Sequence, residues 1–352
     1  MSEFEQKITI IKPDDWHVHL RDKKILKKVI RYTGKFYERA LIMPNLDDPI
    51  TNCFKGISYR NRILKSMHLC YQFQPLMTCY LTSFTIPEEL EIGFFKKIFI
   101  AAKLYPYCST TNSKKGVRKI SHITHVLERM EKIGMPLLIH GEKVNKHIDI
   151  YAREAEFIKN TLEPLRNNFP KLKIVLEHIT TRESVEYIKK NGSNYLCATI
   201  TPHHLMLNRN DMFAGGIQPY LYCLPILKKN IHQKALRQAI ASGNKHFFLG
   251  SDTAPHLHKN KINLFGCAGI FNAPSSFLAY VTVFEEMKAL KHLQAFCSEN
   301  GPNFYNIPIN KKTITLIKKP CKITKKINIG NDKIIPFLSG ETLNWSIKSF
   351  PE

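Results

Sequence analysis

Residues 14–22 read DDWHVHLRD, a strand-length run that carries two histidines, His17 and His19, near its end. Seven further runs of strand length follow, and most are continuous apolar stretches, as expected for parallel strands that are covered on both faces. The eight predicted strands are 15–20, 39–43, 73–81, 98–104, 136–140, 173–178, 195–199 and 246–251.

Amphipathic stretches separate these runs, so predicted strands and helices alternate along the chain. The clearest helical stretches are 121–132, 150–165, 181–190 and 228–241. Eight alternations favour a closed (β/α)8 barrel over an open doubly wound sheet. The chain has neither a G-x-G-x-x-G after its first strand nor a G-x-x-x-x-G-K-[ST] run, which argues against the usual nucleotide-binding folds. No linker-like composition divides the 352 residues, so we predict one barrel domain, 1–352, with a peripheral basic segment from about residue 308.

The strongly basic composition leaves two interpretations open. A net charge of +23 is typical of nucleic-acid-binding proteins, but the lysines are scattered among many Ile and Asn residues, which indicates compositional drift. The densest basic stretch, 311–326, lacks interleaved aromatic residues and is predicted to be a solvated face rather than a nucleic-acid site. The nine cysteines contain no C-x-x-C pair, and no apolar run is long enough to span a bilayer. These features predict a soluble cytoplasmic protein that binds neither nucleic acid nor membrane.

Ligand-capable residues lie at the ends of five predicted strands. His17 and His19 are two positions apart, so in an extended strand both side chains face the same side. Lys103, His140, His178 and Asp252 each end a strand of their own. Alone, any one histidine here could be a hydrogen-bonded core residue, and a buried lysine should be paired, deprotonated or modified. Together, at the carboxyl ends of barrel strands, they predict a metal site.

Ten motifs along the chain allow a more specific prediction than a metal site. They are DDWHVHLRD, MPNL, LMTCYLT, AAKLYP, EKIGMPLLIHGE, EHITT, ATITPHHL, YCLPILK, LGSDTAPH and GCAGIFNAP. With these motifs the chain resembles the dihydroorotases of the single-function bacterial type, within the amidohydrolase superfamily, from about residue 12 to 346. The resemblance implies a homodimeric binuclear zinc enzyme that interconverts N-carbamoyl-L-aspartate and L-dihydroorotate in pyrimidine biosynthesis.

The resemblance also assigns roles to the six ligand candidates. It implies that CO2 carboxylates Lys103 and that the resulting carbamate bridges two Zn²⁺ ions. The remaining ligands of one ion would be His17, His19 and Asp252, and those of the other would be His140 and His178. A bridging hydroxide would attack the ring amide carbonyl, while Asp252 takes its proton and passes it to the leaving nitrogen. Zinc suits a set of ligands that consists mostly of imidazoles.

A second set of residues is expected to bind substrate. Arg21, two residues beyond His19, is placed to hold a carboxylate through two hydrogen bonds. The resemblance adds Asn45, His256 and the backbone of Leu224 and Ala268. Two alternatives stay open, because Asn45 could be a turn residue and His256 could be exposed. The polar loop 105–117 could be an ordinary surface loop, but the resemblance implies a mobile lid whose Thr110 and Thr111 bind substrate.

One departure from the family pattern and one competing function remain. The stretch 256–265, HLHKNKINLF, is unusual before GCAG, so we expect Phe265 to alter the lining beside the substrate pocket. An allantoinase or hydantoinase would share the metal site but should lack the set Arg21, Asn45 and His256.

Overall fold

The computed structural model describes residues 6–67 and 69–348, and its centre is a parallel eight-stranded sheet. The ends of the predicted domain, 1–5 and 349–352, lie outside the described residues. The sheet contains β2 to β9 in chain order, and seven shorter or peripheral strands surround it. The strands are β1 (Lys7–Ile11), β2 (Asp14–Val18), β3 (Arg39–Ile42), β4 (Gln74–Tyr80), β5 (Ala101–Leu104), β6 (Leu137–His140), β7 (Ile174–Glu177), β8 (Leu196–Ile200), β9 (Phe247–Leu249), β10 (Thr313–Ile317), β11 (Cys321–Lys322), β12 (Ile327–Ile329), β13 (Asp332–Ile334), β14 (Thr342–Leu343) and β15 (Ser346–Ile347).

Helices alternate with the central strands, as the sequence predicts. They are α1 (Lys23–Phe36), α2 (Cys53–Ser66), α3 (Pro87–Phe95), α4 (Thr124–Ile133), α5 (Arg153–Phe157), α6 (Glu163–Asn168), α7 (Arg182–Asn191), α8 (Pro202–Met206), α9 (Asn230–Ala241), α10 (His258–Lys261), α11 (Ser276–Glu286) and α12 (Asn300–Tyr305). A π-helical turn, Ile158–Leu162, joins α5 to α6 and makes them one continuous helical stretch. Polar caps start several helices, because the side chains of Asp22, Asn52 and Thr181 accept hydrogen bonds from the first-turn amides of α1, α2 and α7.

The sheet nearly closes on itself between its first and last strands. Val18 pairs in parallel with Thr253, just beyond β9. The amide of His19 donates to the Thr253 carbonyl at 3.0 Å, and the amide of Asp252 donates to the His17 carbonyl at 3.0 Å. Closure therefore brings the carboxyl ends of β2 and β9 together, which is the (β/α)8 barrel that the alternation of strands and helices predicts.

Strand alternation divides the core into two layers. Leucine, isoleucine and alanine residues at every second position pack outward against the helices. The positions between them form a separate inner cluster, in which Trp16 stacks on Tyr305 of α12 with ring centroids 4.4 Å apart. Moving two residues along a strand from this apolar layer leads to polar side chains, as from Ala101 to Lys103 and from Leu138 to His140. The barrel interior is thus apolar at one end and polar at the other.

The basic C-terminal region flanks the barrel. Strand β10 pairs antiparallel with β1 and β15, and the lysines predicted to be solvated are exposed: Lys311, Lys312, Lys318, Lys319, Lys322, Lys325 and Lys326. The hairpin of β12 and β13 reaches the polar end of the barrel, where residues 329–332 line a cleft of about 1390 Å³. Within the described residues, no helix has both the length and the apolar character needed to cross a membrane.

Candidate metal centre and substrate pocket

The ends of the first and last barrel strands bring three donor atoms together. Nε2 of His17 lies 3.2 Å from Nε2 of His19, and both nitrogens lie 3.2 Å from Oδ1 of Asp252. All three residues are buried. Two imidazole nitrogens and a carboxylate oxygen that converge in this way are a donor set suited to a divalent transition metal ion.

The other three predicted ligands lie beside this group. The His178 ring centroid is 5.1 Å from that of His17 and 4.8 Å from that of His140. The Lys103 side chain is fully buried, and its ammonium contacts the carboxylate of Glu177. The structure therefore gathers all six sequence-predicted ligands into one buried cluster at the polar end of the barrel.

Three of the site residues have positive φ angles. Arg21, His178 and Asp252 have φ angles of 57°, 43° and 48°, in the left-handed region that residues other than glycine rarely adopt. Each follows a barrel strand, and at His178 the turn of the backbone brings the side chain inward next to Glu177, where strand alternation would not. A hydrogen bond of 2.7 Å from the His178 amide to Oγ1 of Thr199 holds one of these turns. Backbone strain of this kind is concentrated at functional sites.

Sequence reasoning missed Glu177, a second carboxylate within the cluster. Its Oε1 lies 3.0 Å from Nδ1 of His17, and its other oxygen contacts Lys103. A carboxylate on Nδ1 fixes the imidazole tautomer and leaves Nε2 free to bind a metal. Glu142 contacts the opposite nitrogen of His140, with 2.8 Å between its Oε2 and Nε2 of the ring, so in this histidine Nδ1 rather than Nε2 would face a metal. Strand alternation could have found Glu177, because it lies two positions after Val175, which faces the barrel interior.

The electrostatics of the cluster favour bound positive charge. Burial acts to lower the pKa of His17, but the carboxylates of Glu177 and Asp252 outweigh it and raise that pKa to about 9. Burial lowers the pKa of His19 to about 4 and also lowers that of Lys103. The cluster therefore combines two buried carboxylates with a neutral imidazole and a lysine pushed toward its free amine.

Two unpartnered nitrogens test whether these residues fit a metal centre. Among residues 6–67 and 69–348, the buried Nδ1 atoms of His19 and His178 have no hydrogen-bond partner. Buried polar atoms are normally satisfied, so such atoms indicate a missing water or ion. The donor types and their convergence fit a site for metal ions, and the free Nδ1 of His178 agrees with this, whereas that of His19 is not the nitrogen that converges on Asp252.

The predicted substrate-binding residues, apart from His256, surround a cavity directly above the ligands, and His256 lines the adjoining cleft. The lining of the cavity consists of His17, His19, Arg21, Asn45, Tyr105, Thr110, Thr111, His140, His178, Leu224, Asp252, Ala254, Ala268 and Gly269. Arg21 donates through Nε to the Pro255 carbonyl at 3.1 Å and lies 3.0 Å from Nε2 of His256. His256 is buried, contrary to the alternative that it is exposed.

The loop 105–117 lies closed over this cavity. Oγ1 of Thr111 donates to the Ala268 carbonyl at 3.1 Å, and Nδ2 of Asn45 donates to the Thr111 carbonyl at 3.1 Å. The Asn112 side chain donates in turn to the Asn45 carbonyl at 3.1 Å. Asn45 is therefore more than a turn residue, because it connects the loop to the barrel wall.

The expectation for Phe265 was wrong. Its side chain is 91% exposed and does not line the cavity or the adjoining cleft. The loop after α10 turns residues 262–265 outward before the chain returns to the site at Cys267, which does line the cleft. The unusual stretch therefore changes the protein surface rather than the pocket wall.

Comparisons with known proteins agree with this architecture. Residues 9–343 match the model of the Amidohydrolase family. The chain is 78% identical to the dihydroorotase of Buchnera aphidicola subsp. Acyrthosiphon pisum (strain Tuc7), over 99% of this chain and 100% of the relative. A crystal structure of dihydroorotase from Saccharomyces cerevisiae, in complex with 5-fluoroorotic acid, superposes with a TM-score of 0.91 at 32% identity, covering 99% and 100% of the two chains.

A more distant likeness concerns the fold alone. The L-hydantoinase (dihydropyrimidinase) of Arthrobacter aurescens superposes with a TM-score of 0.80 at 14% identity, covering 97% of this chain and 83% of that one. Cyclic-amide hydrolases of different substrate specificity therefore share this barrel, and specificity must be argued from the pocket.

Proposed function

The chain belongs to the amidohydrolase family and, within it, to the dihydroorotases, and we propose that its chemistry takes place in the cavity above His17, His19 and Asp252. A dihydroorotase is a cyclic amide hydrolase of pyrimidine biosynthesis, which interconverts N-carbamoyl-L-aspartate and L-dihydroorotate. The observation that carries the proposal is the convergence of two imidazole nitrogens and a carboxylate oxygen within 3.2 Å of one another. It lies directly below a pocket that contains a half-buried arginine, Arg21.

Two zinc ions are the proposed cofactors. His17, His19 and Asp252 would hold one ion, His140 and His178 the other, and a modified Lys103 would bridge them. When bound, paired metal ions lower the pKa of a water molecule and polarise a carbonyl group. Imidazole-rich ligands support zinc over magnesium.

The environment of Lys103 supports carboxylation of its side chain. The ammonium first loses a proton to give the neutral amine, whose reaction with CO2 forms an N–C bond and releases a second proton, so that a cation becomes an anionic oxygen ligand. Burial favours the free amine by lowering the pKa of Lys103. Incubation with ¹³CO2 should give a carbamate carbon signal in the NMR spectrum of the wild-type protein, and none in Lys103→Ala.

Asp252 is the proposed proton carrier. Its carboxylate lies at the centre of the site, within 3.2 Å of both His17 and His19. In hydrolysis it would accept a proton from the attacking water and deliver it to the ring nitrogen as the amide bond breaks. Ring closure would run through the same group in reverse.

The rim of the cavity would hold the rest of the substrate. Arg21 offers a planar guanidinium to the free carboxylate, with Asn45 and His256 beside it. The backbone of Leu224 and Ala268 would contact the ring. Thr110 and Thr111 close the cavity from the loop, which would exclude water during the reaction.

A direct assay separates this proposal from its competitors. Ultraviolet absorbance should report hydrolysis of dihydroorotate by the purified protein and no hydrolysis of hydantoin or allantoin. Turnover of hydantoin or allantoin at a similar rate would contradict the assigned specificity. Salt-sensitive retention of DNA in a filter-binding assay would instead support the nucleic-acid interpretation of the basic surface.

We further propose a cytoplasmic homodimer. Solvent-facing apolar side chains on α2 and α3 support a contact between chains, since Phe54 is 80% and Phe95 65% exposed, with Ile57, Leu64 and Ile92 about half exposed. Sedimentation equilibrium should give twice the chain mass, and Phe54→Glu combined with Phe95→Glu should reduce it. A wild-type protein that sediments as a monomer contradicts the proposal.

A further inference from the structure

Lys261, in α10, is a buried lysine to which the proposed chemistry gives no role. It is 5% exposed, and its ammonium donates to three backbone carbonyls, those of Tyr222, Cys267 and Gly269, each at 2.9 Å. Three donors and three acceptors make this a fully satisfied ammonium. One side chain therefore ties together two separate segments of the chain.

The positive charge of Lys261 is costly to bury. Among the described residues, no carboxylate lies within ion-pair distance of its ammonium. Its electrostatic neighbours are the thiols of Cys223 and Cys267, and burial lowers its pKa to about 8. A buried cation without a counter-ion lowers the stability of the folded protein. Its presence here points to a role for the three hydrogen bonds that it donates.

The two segments are those that present the predicted backbone contacts to the substrate. Tyr222 lies two residues before Leu224, and Cys267 and Gly269 flank Ala268. In a trans peptide the carbonyl and the following N–H point in opposite directions. Because the Cys267 carbonyl points to Lys261, the Ala268 amide points away from it.

Two further hydrogen bonds hold the segments around Leu224 and Ala268 in place. The Gly269 amide donates to the Tyr222 carbonyl at 2.9 Å, so the two segments bind each other as well as the lysine. Gly269 has a φ of 143°, and a Cβ atom here would lie 2.8 Å from Nε2 of His256. The Ala268 carbonyl, in turn, accepts the hydrogen bond from Thr111 of the closed loop.

We propose that Lys261 is a positioning residue for substrate binding, which fixes the Leu224 and Ala268 segments in the orientation that meets the substrate and the closed loop. The inference rests on the proposed function, since it takes the segments around Leu224 and Ala268 to contact dihydroorotate. Lys261 touches neither the reacting atoms nor the metal ligands. Its loss should therefore weaken substrate binding and leave the metal site intact.

The test compares two buried lysines by steady-state kinetics on dihydroorotate. Lys261→Met, which keeps the length of the side chain and removes its donors, should raise KM by about tenfold, because three backbone groups lose their orientation. Zinc content should equal that of the wild type, and kcat should change less than KM. The matched control is Lys228→Met, since Lys228 is also buried and donates to a single carbonyl, that of Ile226, at 3.0 Å. This control should lower the melting temperature and keep KM within about twofold.

Amine rescue distinguishes positioning from simple packing. Ethylammonium should lower the KM of Lys261→Ala, because it can donate to the three carbonyls, whereas tetramethylammonium should not. An unchanged KM in Lys261→Met, an equal rise in Lys228→Met, or equal rescue by both cations overturns the inference. Should Lys261→Met not fold, Lys261→Gln is expected to raise KM in the same sense, and a wild-type KM there also overturns it.

The wild-type assay keeps the two proposals separate. A wild-type protein that does not hydrolyse dihydroorotate contradicts the proposed function. A wild-type protein that does, together with variants of normal KM, contradicts only the role of Lys261.

Discussion

The floor and the rim of the pocket are built by different means. The floor consists of strand-end residues such as Lys103 and His140, whose directions follow from alternation along strands packed in the core. The rim consists of loop residues such as Arg21 and Thr111, held by hydrogen bonds between distant segments. The proposed chemistry is thus attached to strand ends packed in the core, whereas the proposed substrate recognition depends on hydrogen bonds between loops, which are the less stable parts of a fold.

The largest effect is expected from the floor. Lys103→Ala should lose most bound zinc and reduce kcat/KM at least about a thousand-fold, because the proposed bridge between the two proposed ions would be removed. Elemental analysis and the ultraviolet assay check both results. Lys173→Ala is the matched control, because Lys173 directly precedes β7 at the opposite end of the barrel and bonds the Phe304 carbonyl. Full zinc and normal rates in Lys103→Ala would show that the floor does not depend on this lysine.

Arg21 is expected to have the largest effect on the rim. Removing a charge-assisted partner from a buried carboxylate costs on the order of 2–5 kcal/mol, so Arg21→Ala should raise KM by at least about thirtyfold. Zinc content should stay at the wild-type value, since no predicted ligand is removed. Arg62→Ala, at an exposed arginine that pairs with Asp22, is the control. Loss of zinc in Arg21→Ala would contradict the separation of floor from rim.

A buried glutamate stabilises the segment that continues from the floor residue His178. Glu154 accepts hydrogen bonds from both the amides and the hydroxyls of Thr180 and Thr181, and from Ser184. Glu154→Gln should lower the free energy of unfolding by about 3 kcal/mol, because hydrogen bonds to a charged group contribute ~1.5–3 kcal/mol each. Urea unfolding measures this loss, and Glu156→Gln on the same helix is the control.

The pH dependence of Glu154 follows from the sign of its shift. Burial acts to raise its pKa, but Lys228 and the hydrogen bonds outweigh burial and lower it. Its stabilising contribution is therefore complete above the pKa of an unfolded glutamate, about 4.3, and is lost as the pH falls through the lower folded value. The wild type and Glu154→Gln should converge in stability in acid. A gap that widens as the pH falls would contradict this role.

The loop threonines should have a smaller effect. Thr110→Ala with Thr111→Ala should lower kcat/KM by at least about tenfold, worth roughly 1.4 kcal/mol, at unchanged zinc content and melting temperature. The hydrogen bond from Thr111 to the Ala268 carbonyl makes Thr111 the larger contributor. Ser121→Ala, at an exposed serine beyond the loop, is the control. Normal kinetics in the double variant would make the loop an ordinary surface segment.

The smallest effect is expected at the basic C-terminal segment. Lys325→Gln with Lys326→Gln should leave kcat/KM within about twofold of wild type, because exposed surface charges rarely contribute measurably. The same variant should not change DNA retention on filters at low salt. A large loss of either activity or DNA binding would assign this face a function.

The sequence predicted the floor better than the rim, for a physical reason. Eight apolar runs, and the polar residues at the ends of five of them, are local signals, and the eight strands of the barrel lie where those runs predict them. Alternation along β7 marks Glu177 as facing the interior, but its contacts with His17 and Lys103, which are distant in sequence, have no local signal. Lys261 was missed because a lysine that donates to three carbonyls leaves no pattern in a sequence.

Loops and helix ends were the least predictable parts. Phe265 was expected beside the pocket and is exposed, since only the folded loop after α10 decides which way it turns. The predicted helix 150–165 begins at Arg153, contains a π-helical turn and ends at Asn168. Such details depend on packing against neighbouring elements rather than on the local pattern.

Metal content measured together with activity tests the central claim most directly. We predict about two zinc ions per chain by elemental analysis, as two-metal hydrolases carry. A chelator should abolish hydrolysis of dihydroorotate, and added zinc should restore it in proportion to the metal bound. Full hydrolysis of dihydroorotate by protein freed of metal would contradict the account.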